Sequence, residues 1–242
     1  MNNIIIIFLF FLFPPYLAFC QDGEVLYKWE TSLGIEWKSF GDEETQPFFK
    51  GEVENGLPEG LGILIRPNGE KYVGEWKNGK FEGMGKFTFF DGSNYNGQWK
   101  KGEASGNGTR IYSDGGKYVG EWKDGKKHFK GIFTWPDGSR YEGQFKYGKR
   151  NGQGTFTKHK SWKYAGGWKN GEKNGFGEFT SDNGIFYKGE YKDGVFNGEG
   201  TYNWEDGRKL VGKFKNGAFW EGEEYNKLGK VIGKYINGIF HE

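Results

Sequence analysis

The sequence predicts an all-β fold, a single-layer twisted antiparallel meander of about eight β-hairpins with a 23-residue repeat. Three observations predict it. The block Tyr72 to Asn94, YVGEWKNGKFEGMGKFTFFDGSN, returns as YNGQWKKGEASGNGTRIYSDGGK and again as YVGEWKDGKKHFKGIFTWPDGSR. Aromatic and glycine residues alternate within each block with a period of two, the period of a strand. Asn-Gly and Asp-Gly pairs recur at two fixed places, and such pairs tolerate the positive φ of tight turns.

The first strand of each unit opens on an aromatic at position one, as in Phe49, Tyr72, Tyr95, Tyr118, Tyr141, Tyr164 and Tyr187. Glycine follows at position three and a second aromatic at position five, as in Gly74 and Trp76 or Gly143 and Phe145. These three positions share one face, and a neighbouring ring can lie over the backbone where glycine lacks a side chain. The other face carries Glu75 with Lys77, Gln98 with Lys100 and Glu190 with Lys192, a solvated mixture of charge. A turn follows at pairs such as Asn78-Gly79 or Asp124-Gly125. The second strand, of about six residues, is expected to start at the position-fourteen glycine, as in Gly85 to Phe90, and to end at a pair such as Asp91-Gly92. Hairpins joined by tight turns continue as an antiparallel meander.

These residues resemble the MORN repeat, the membrane occupation and recognition nexus motif. Its pattern is tyrosine, x, glycine, x, tryptophan, a turn and a second glycine-bracketed strand. The resemblance runs from Phe49 to about Glu242. Phe129 stands where other units have glycine at position twelve, Arg110 replaces an aromatic, and KHKS (Lys158 to Ser161) replaces an Asp-Gly turn. The last unit, from Leu210, is short and irregular and is expected to close the sheet's edge. The resemblance implies a scaffold whose repeats mediate protein contacts, self-association or attachment near membranes.

Composition agrees with a thin aromatic sheet. Aromatics are 19% of the chain and all hydrophobic residues only 35%, so Phe, Tyr and Trp supply much of the apolar surface. The 34 basic and 32 acidic residues nearly cancel, which argues against a nucleic-acid partner. His128, His159 and His241 are widely spaced, without zinc-type spacing or a nucleophile and base beside them. Asp91, Asp114, Asp137 and Asp206 occupy turn positions. No catalysis, cofactor or metal is expected.

Binding remains. One sheet cannot cover both of its faces, so Tyr95, Trp99, Tyr118, Trp122, Tyr141, Tyr164 and Trp168 are the candidate partner site; the alternative is that they form the thin core. Lys126, Lys127, Lys130, Lys149 and Arg150 fall in equivalent loops of successive hairpins and are expected to form one cationic patch. Its partner would be anionic lipid or an acidic protein, unless it is a solvated edge. A glycan or wall polymer stacked on the tryptophans is a further alternative.

Three segments are expected: a leader over residues 1–20, a cap or tether over 21–48 and the repeat sheet over 49–242. The leader rests on an uncharged apolar run from Ile4 to Phe13, of signal-peptide length. It implies export to a periplasmic, cell-surface or secreted location. Cys20, the sole cysteine, would then be lost on cleavage or carry a lipid.

Overall fold

The computed structural model describes residues 23–242; the expected leader and Cys20 lie outside the described residues. The described residues form strands and turns, in two compact units that part between Phe87 and Thr88.

The first unit holds β1 (Glu24–Thr31), β2 (Gly34–Lys38), β3 (Phe48–Glu54), β4 (Leu57–Ile65), β5 (Lys71–Lys77) and β6 (Lys80–Thr88, whose last residue begins the second unit). Residues 24–38 form a hairpin, and β1 also pairs with β3 through Leu26 opposite Phe49. Trp37 sets its ring edge-on to Phe49 at 6.2 Å and to Trp76 at 6.0 Å. The non-repeat segment thus supplies a strand and an aromatic lid to the first repeat.

The second unit continues with β7 (Asn94–Lys100), β8 (Glu103–Ile111), β9 (Lys117–Lys123), β10 (Lys126–Thr134), β11 (Arg140–Lys146), β12 (Lys149–Lys158) and β13 (Trp162–Lys169). It ends with β14 (Glu172–Ser181), β15 (Phe186–Lys192), β16 (Val195–Asn203), β17 (Lys209–Lys215), β18 (Ala218–Tyr225), β19 (Val231–Ile236) and β20 (Ile239–His241). Each strand from β7 onward pairs antiparallel with the next, so the sheet is a pure meander. The irregular end carries on the pattern as two hairpins, the last strand of which is exposed.

The second strand is longer than the spacing suggests. It starts directly after the two-residue turn, at Lys80 rather than Gly85, and most such strands run to nine residues. The difference is a β-bulge. At position twelve Gly83 (φ 57°), Gly106 (73°) and Gly152 (89°) take the left-handed conformation that glycine adopts without penalty. The residue after the bulge donates its backbone N–H to the side chain at position four of the first strand. Met84 N–Glu75 Oε1 is 2.8 Å, Asn107 N–Gln98 Oε1 2.7 Å and Gln153 N–Gln144 Oε1 2.7 Å. The polar side chains of the solvated face therefore latch each hairpin, satisfying a donor that the bulge removes from the ladder.

The core is the aromatic row. Tyr118, Tyr141, Tyr164 and Tyr187 are fully buried. Each ring lies over the paired glycines of its own hairpin: a Cβ added at Gly131 would sit 2.4 Å from the Tyr118 hydroxyl oxygen. The hydroxyl reaches three residues along its own strand, Tyr118 Oη donating to Glu121 O at 3.0 Å and Tyr141 Oη to Gln144 O at 2.9 Å. Two position-five rings then clamp the tyrosine edge-on, one from its own unit and one from the next. Tyr118 meets Trp122 and Phe145, each at 5.2 Å, and Tyr141 meets Phe145 at 5.0 Å and Trp168 at 5.3 Å. Edge-to-face pairs of this kind add about 0.5–1.5 kcal/mol beyond area burial.

Candidate functional site

The candidate partner aromatics are core. Tyr95, Tyr118, Trp122, Tyr141, Tyr164 and Trp168 are buried, and Trp99 is half-buried. A single sheet achieves this because glycine lets each ring lie flat on the backbone and the next unit's ring closes over it. Burial disfavours the charged phenolate, so the Tyr95, Tyr118 and Tyr141 hydroxyls are held above the ordinary tyrosine range and Tyr164 is pushed up to about 12. What stays accessible is a second row on the same face. Phe89, Tyr112, Phe133, Trp135, Phe156, Trp162 and Phe179 pack against the tyrosine row while remaining partly exposed.

The expected cationic patch is divided between two faces. Lys126 and Lys127, like Lys149 and Arg150, lie in strands rather than loops, and consecutive residues of a strand point in opposite directions. Lys126 pairs with Lys123, Lys149 with Lys146 and Lys130 with Gln144, which places all three on the solvated face, exposed. Lys127 pairs with Trp122 and Arg150 with Phe145, which turns both onto the aromatic face.

There Lys127 and Arg150 join two cations that the sequence pattern did not single out. Position ten lies over the tyrosine of its unit and is apolar elsewhere: Phe81 stacks on Tyr72 and Phe196 on Tyr187, both at 3.8 Å. Lys127, Arg150 and Lys173 hold this position in three successive units. The Lys127 ammonium sits 4.6 Å from the Phe133 ring centre, and the Lys173 ammonium is 4.9 Å from both Trp162 and Tyr164. The Arg150 guanidinium lies 4.1 Å over Trp168, and its Nη2 donates to Gly171 O at 2.6 Å. Arg110, replacing an aromatic at position sixteen, lies 4.3 Å over Phe89 and 5.0 Å over Tyr112. The signal that would have found this row was a basic residue where Phe81 and Phe196 stand in other units.

Burial is the main reason that Lys127, Arg150 and Lys173 bind their protons less tightly than usual. Repulsion from Arg110 adds to it at Lys127, and repulsion from Arg150 adds to it at Lys173. None of the four has a carboxylate partner among the ion pairs of the described residues.

The remaining candidates for chemistry have local structural roles. Asp91, Asp114 and Asp137 accept the backbone N–H two residues on, at 2.9, 2.8 and 2.8 Å, which closes their turns. His128 Nδ1 accepts from Tyr147 N at 3.4 Å. No three His, Cys, Asp or Glu side chains converge on a metal position among the described residues. A shallow depression of about 470 Å³ beside Ala165 and Phe176 brings in only Glu178 as a titratable side chain.

The family model of the MORN repeat matches seven segments, residues 49–71, 72–94, 95–117, 118–140, 141–160, 164–185 and 187–207. No curated protein sequence matches the chain. Among solved structures, the chain is similar to the TCP domain of Drosophila melanogaster SAS-4 (dCPAP), solved with a proline-rich motif of Ana2 (dSTIL). Identity is 11%, coverage 64% of this chain and 85% of that one, and the TM-score 0.39. It is also similar to the G-box domain of the microcephaly protein CPAP, at 12% identity, 75% and 97% coverage and a TM-score of 0.44. The TCP10 domain of Danio rerio CPAP matches at 14% identity, 87% and 89% coverage and a TM-score of 0.33.

Proposed function

The chain belongs to the MORN-repeat family, and from that premise we propose that it is a non-catalytic scaffold that holds a protein partner against the aromatic face of its repeats. The observation that carries this reading is the half-exposed second row, from Phe89 through Trp135 and Trp162 to Phe179. A contiguous apolar strip of this kind on a folded surface marks a contact site more often than chance exposure. The buried first row fixes the strip in place, so a partner meets a rigid surface.

The test is affinity capture from native extract with the wild-type chain and with a Trp135→Ser, Trp162→Ser variant whose folding is checked by circular dichroism. A protein retained in stoichiometric amount by the wild type and lost by the variant supports the reading. Retention of lipid or wall polymer alone overturns it.

Membrane-surface contact is the second reading. It is supported by Lys126, Lys130 and Lys149, which stay exposed on the opposite face where anionic headgroups could meet them. Export, supported by the uncharged run Ile4 to Phe13, is part of the same proposal. Intact-mass measurement of the native protein should show loss of about 20 residues, or a lipid on Cys20. A full chain starting at Met1 recovered from cytosol would count against it.

A further inference from the structure

The aromatic face of the second unit carries four cations, Arg110, Lys127, Arg150 and Lys173, interleaved with rings and, among the described residues, in no ion pair, although Asp91 lies within electrostatic reach of Arg110. Position ten, which holds Lys127, Arg150 and Lys173, is Phe81, Ala104 or Phe196 in other units, and Phe81 and Phe196 cover the tyrosine at no electrostatic cost. Covering the core therefore does not require charge. The stems of Lys and Arg can do it, but like charges then lie close enough that Arg110 adds to the lowered proton affinity of Lys127 and Arg150 to that of Lys173. The chain has 32 acidic residues, and among the described residues none forms an ion pair with Lys127, Arg150 or Lys173. The Arg110 Nε is buried without a hydrogen-bond partner, and the Lys127 and Lys173 ammonium groups have no ion pair or hydrogen bond within the described residues.

Spacing narrows the ligand. Lys127, Arg150 and Lys173 sit on β10, β12 and β14, alternate strands of one meander, so successive cations are about 10 Å apart, twice the strand separation. A polyproline II segment makes three residues per turn and advances about 3.1 Å per residue, so every third side chain returns to one face about 9 Å further on, close to this interval. Nucleic-acid bases would need open ring faces on which to stack. Here those faces are already occupied, with the cations lying 4.1–4.9 Å over Trp168, Phe133, Trp162 and Tyr164.

We propose that Lys127, Arg150 and Lys173, with Arg110 beside the first of them, form a recognition ladder for an acidic polypeptide segment, bound across the strands in the polyproline II conformation with a carboxylate at every third residue. The ladder rests on the scaffold reading and names its partner's chemistry. The second-row rings Phe133, Phe156 and Phe179 flank the cations and supply the apolar walls between them. Charge-assisted contacts in this partly desolvated setting are stronger than those of an exposed rim.

The experiment uses the full chain and a synthetic 15-residue peptide of Glu-Thr-Ser units, long enough at about 3.1 Å per residue to pass the three rungs and Arg110. Controls are the same peptide with Gln for Glu, one with its glutamates gathered at one end, oligothymidylate, and phosphatidylserine vesicles. The variant Lys127→Met, Arg150→Met, Lys173→Met keeps apolar cover over the tyrosines. Lys126→Met, Lys130→Met, Lys149→Met removes the same charge from the opposite face. The expected result is salt-sensitive binding of the spaced acidic peptide that weakens at least about 30-fold in the first variant and less than about 3-fold in the second, with the Gln peptide inert. Four results would overturn the ladder: equal loss in both variants, equal binding of the gathered peptide, no binding by the wild type at low salt, or tighter binding of oligothymidylate or vesicles. If the wild type captures a protein from extract and the first variant captures it equally well, the ladder fails while the scaffold reading stands.

Discussion

Gly120 and Gly131 face each other across β9 and β10, and they are expected to differ in what they tolerate. A Cβ on Gly131 would lie 2.4 Å from the Tyr118 hydroxyl oxygen and 2.6 Å from two ring carbons. Carbon contacts relax at about 3.5–4.0 Å, so the ring must shift by about 1 Å. That overpacking costs about 1–3 kcal/mol, and displacing the hydroxyl from Glu121 O adds about 0.5–1.5 kcal/mol. The gain from replacing a strand glycine by alanine, about 0.5–1 kcal/mol, offsets part of this. Gly131→Ala should therefore destabilise by roughly 1–3 kcal/mol in the wild type. In a Tyr118→Ala background, itself costing about 3–5 kcal/mol, the obstacle is gone and the same change should be neutral or favourable. Gly120 differs because its added Cβ would lie 2.5 Å from the Gly131 Cα and 2.6 Å from Lys130 O, and backbone cannot step aside. Gly120→Ala should stay harmful in both backgrounds. Urea denaturation followed by circular dichroism, with hydrogen exchange of the β9 and β10 amides to localise the loss, reads the full cycle. Additive effects for Gly131 and Tyr118 within about 0.5 kcal/mol would refute the ring-over-glycine account, as would rescue of Gly120→Ala.

Phe129 occupies the bulge position at φ 50°, where the other units place glycine, and its ring is 53% exposed. Phe129→Gly should therefore raise stability by about 1–2 kcal/mol in a thermal melt, and a lowered melting temperature would show that the ring's contacts outweigh its backbone strain. Gln144→Leu removes the acceptor for Gln153 N and should cost about 0.5–1.5 kcal/mol, with faster exchange of that amide; an unchanged exchange rate would dismiss the latch. Alkaline pH should unfold the sheet. Unfolded tyrosines release their protons near pH 10 while Tyr164 holds its own to about 12, so the unfolded chain binds fewer protons there and stability falls as pH rises across this interval. Tyrosinate absorbance should rise together with loss of the strand signal, and titration near pH 10 with the circular dichroism unchanged would contradict the burial of the row.

The sequence made the fold legible because its two periods speak to different scales. Alternation of aromatic and glycine sets the strand faces, and the 23-residue repeat sets the hairpin. The bulge was not legible, since a glycine such as Gly83 reads equally well as part of a turn, and only the pairing shows that the strand runs through it. The same displacement misplaced the cations. With the second strand starting at position fourteen, Lys126 and Lys127 read as one loop; with the strand starting at position nine, they belong to opposite faces. The fate of the aromatics turned on packing that composition cannot convey. Whether Tyr141 is covered depends on Trp168, which arrives one unit later in the chain.

That dependence on the following unit has an evolutionary corollary. Tyr95 is completed by Trp122, Tyr118 by Phe145 and Tyr141 by Trp168, so the donor is always the same position of whichever block comes next. Excising residues 118–140 in frame would bring Phe145 to Tyr95 in place of Trp122, leaving every tyrosine with a donor. Gene duplication or unequal crossing-over at block boundaries can thus lengthen or shorten the array without redesigning its interior. Array length is then free to follow the ligand: adding a block with a basic position ten extends the row of charges by one step, and deleting one shortens it by the same step.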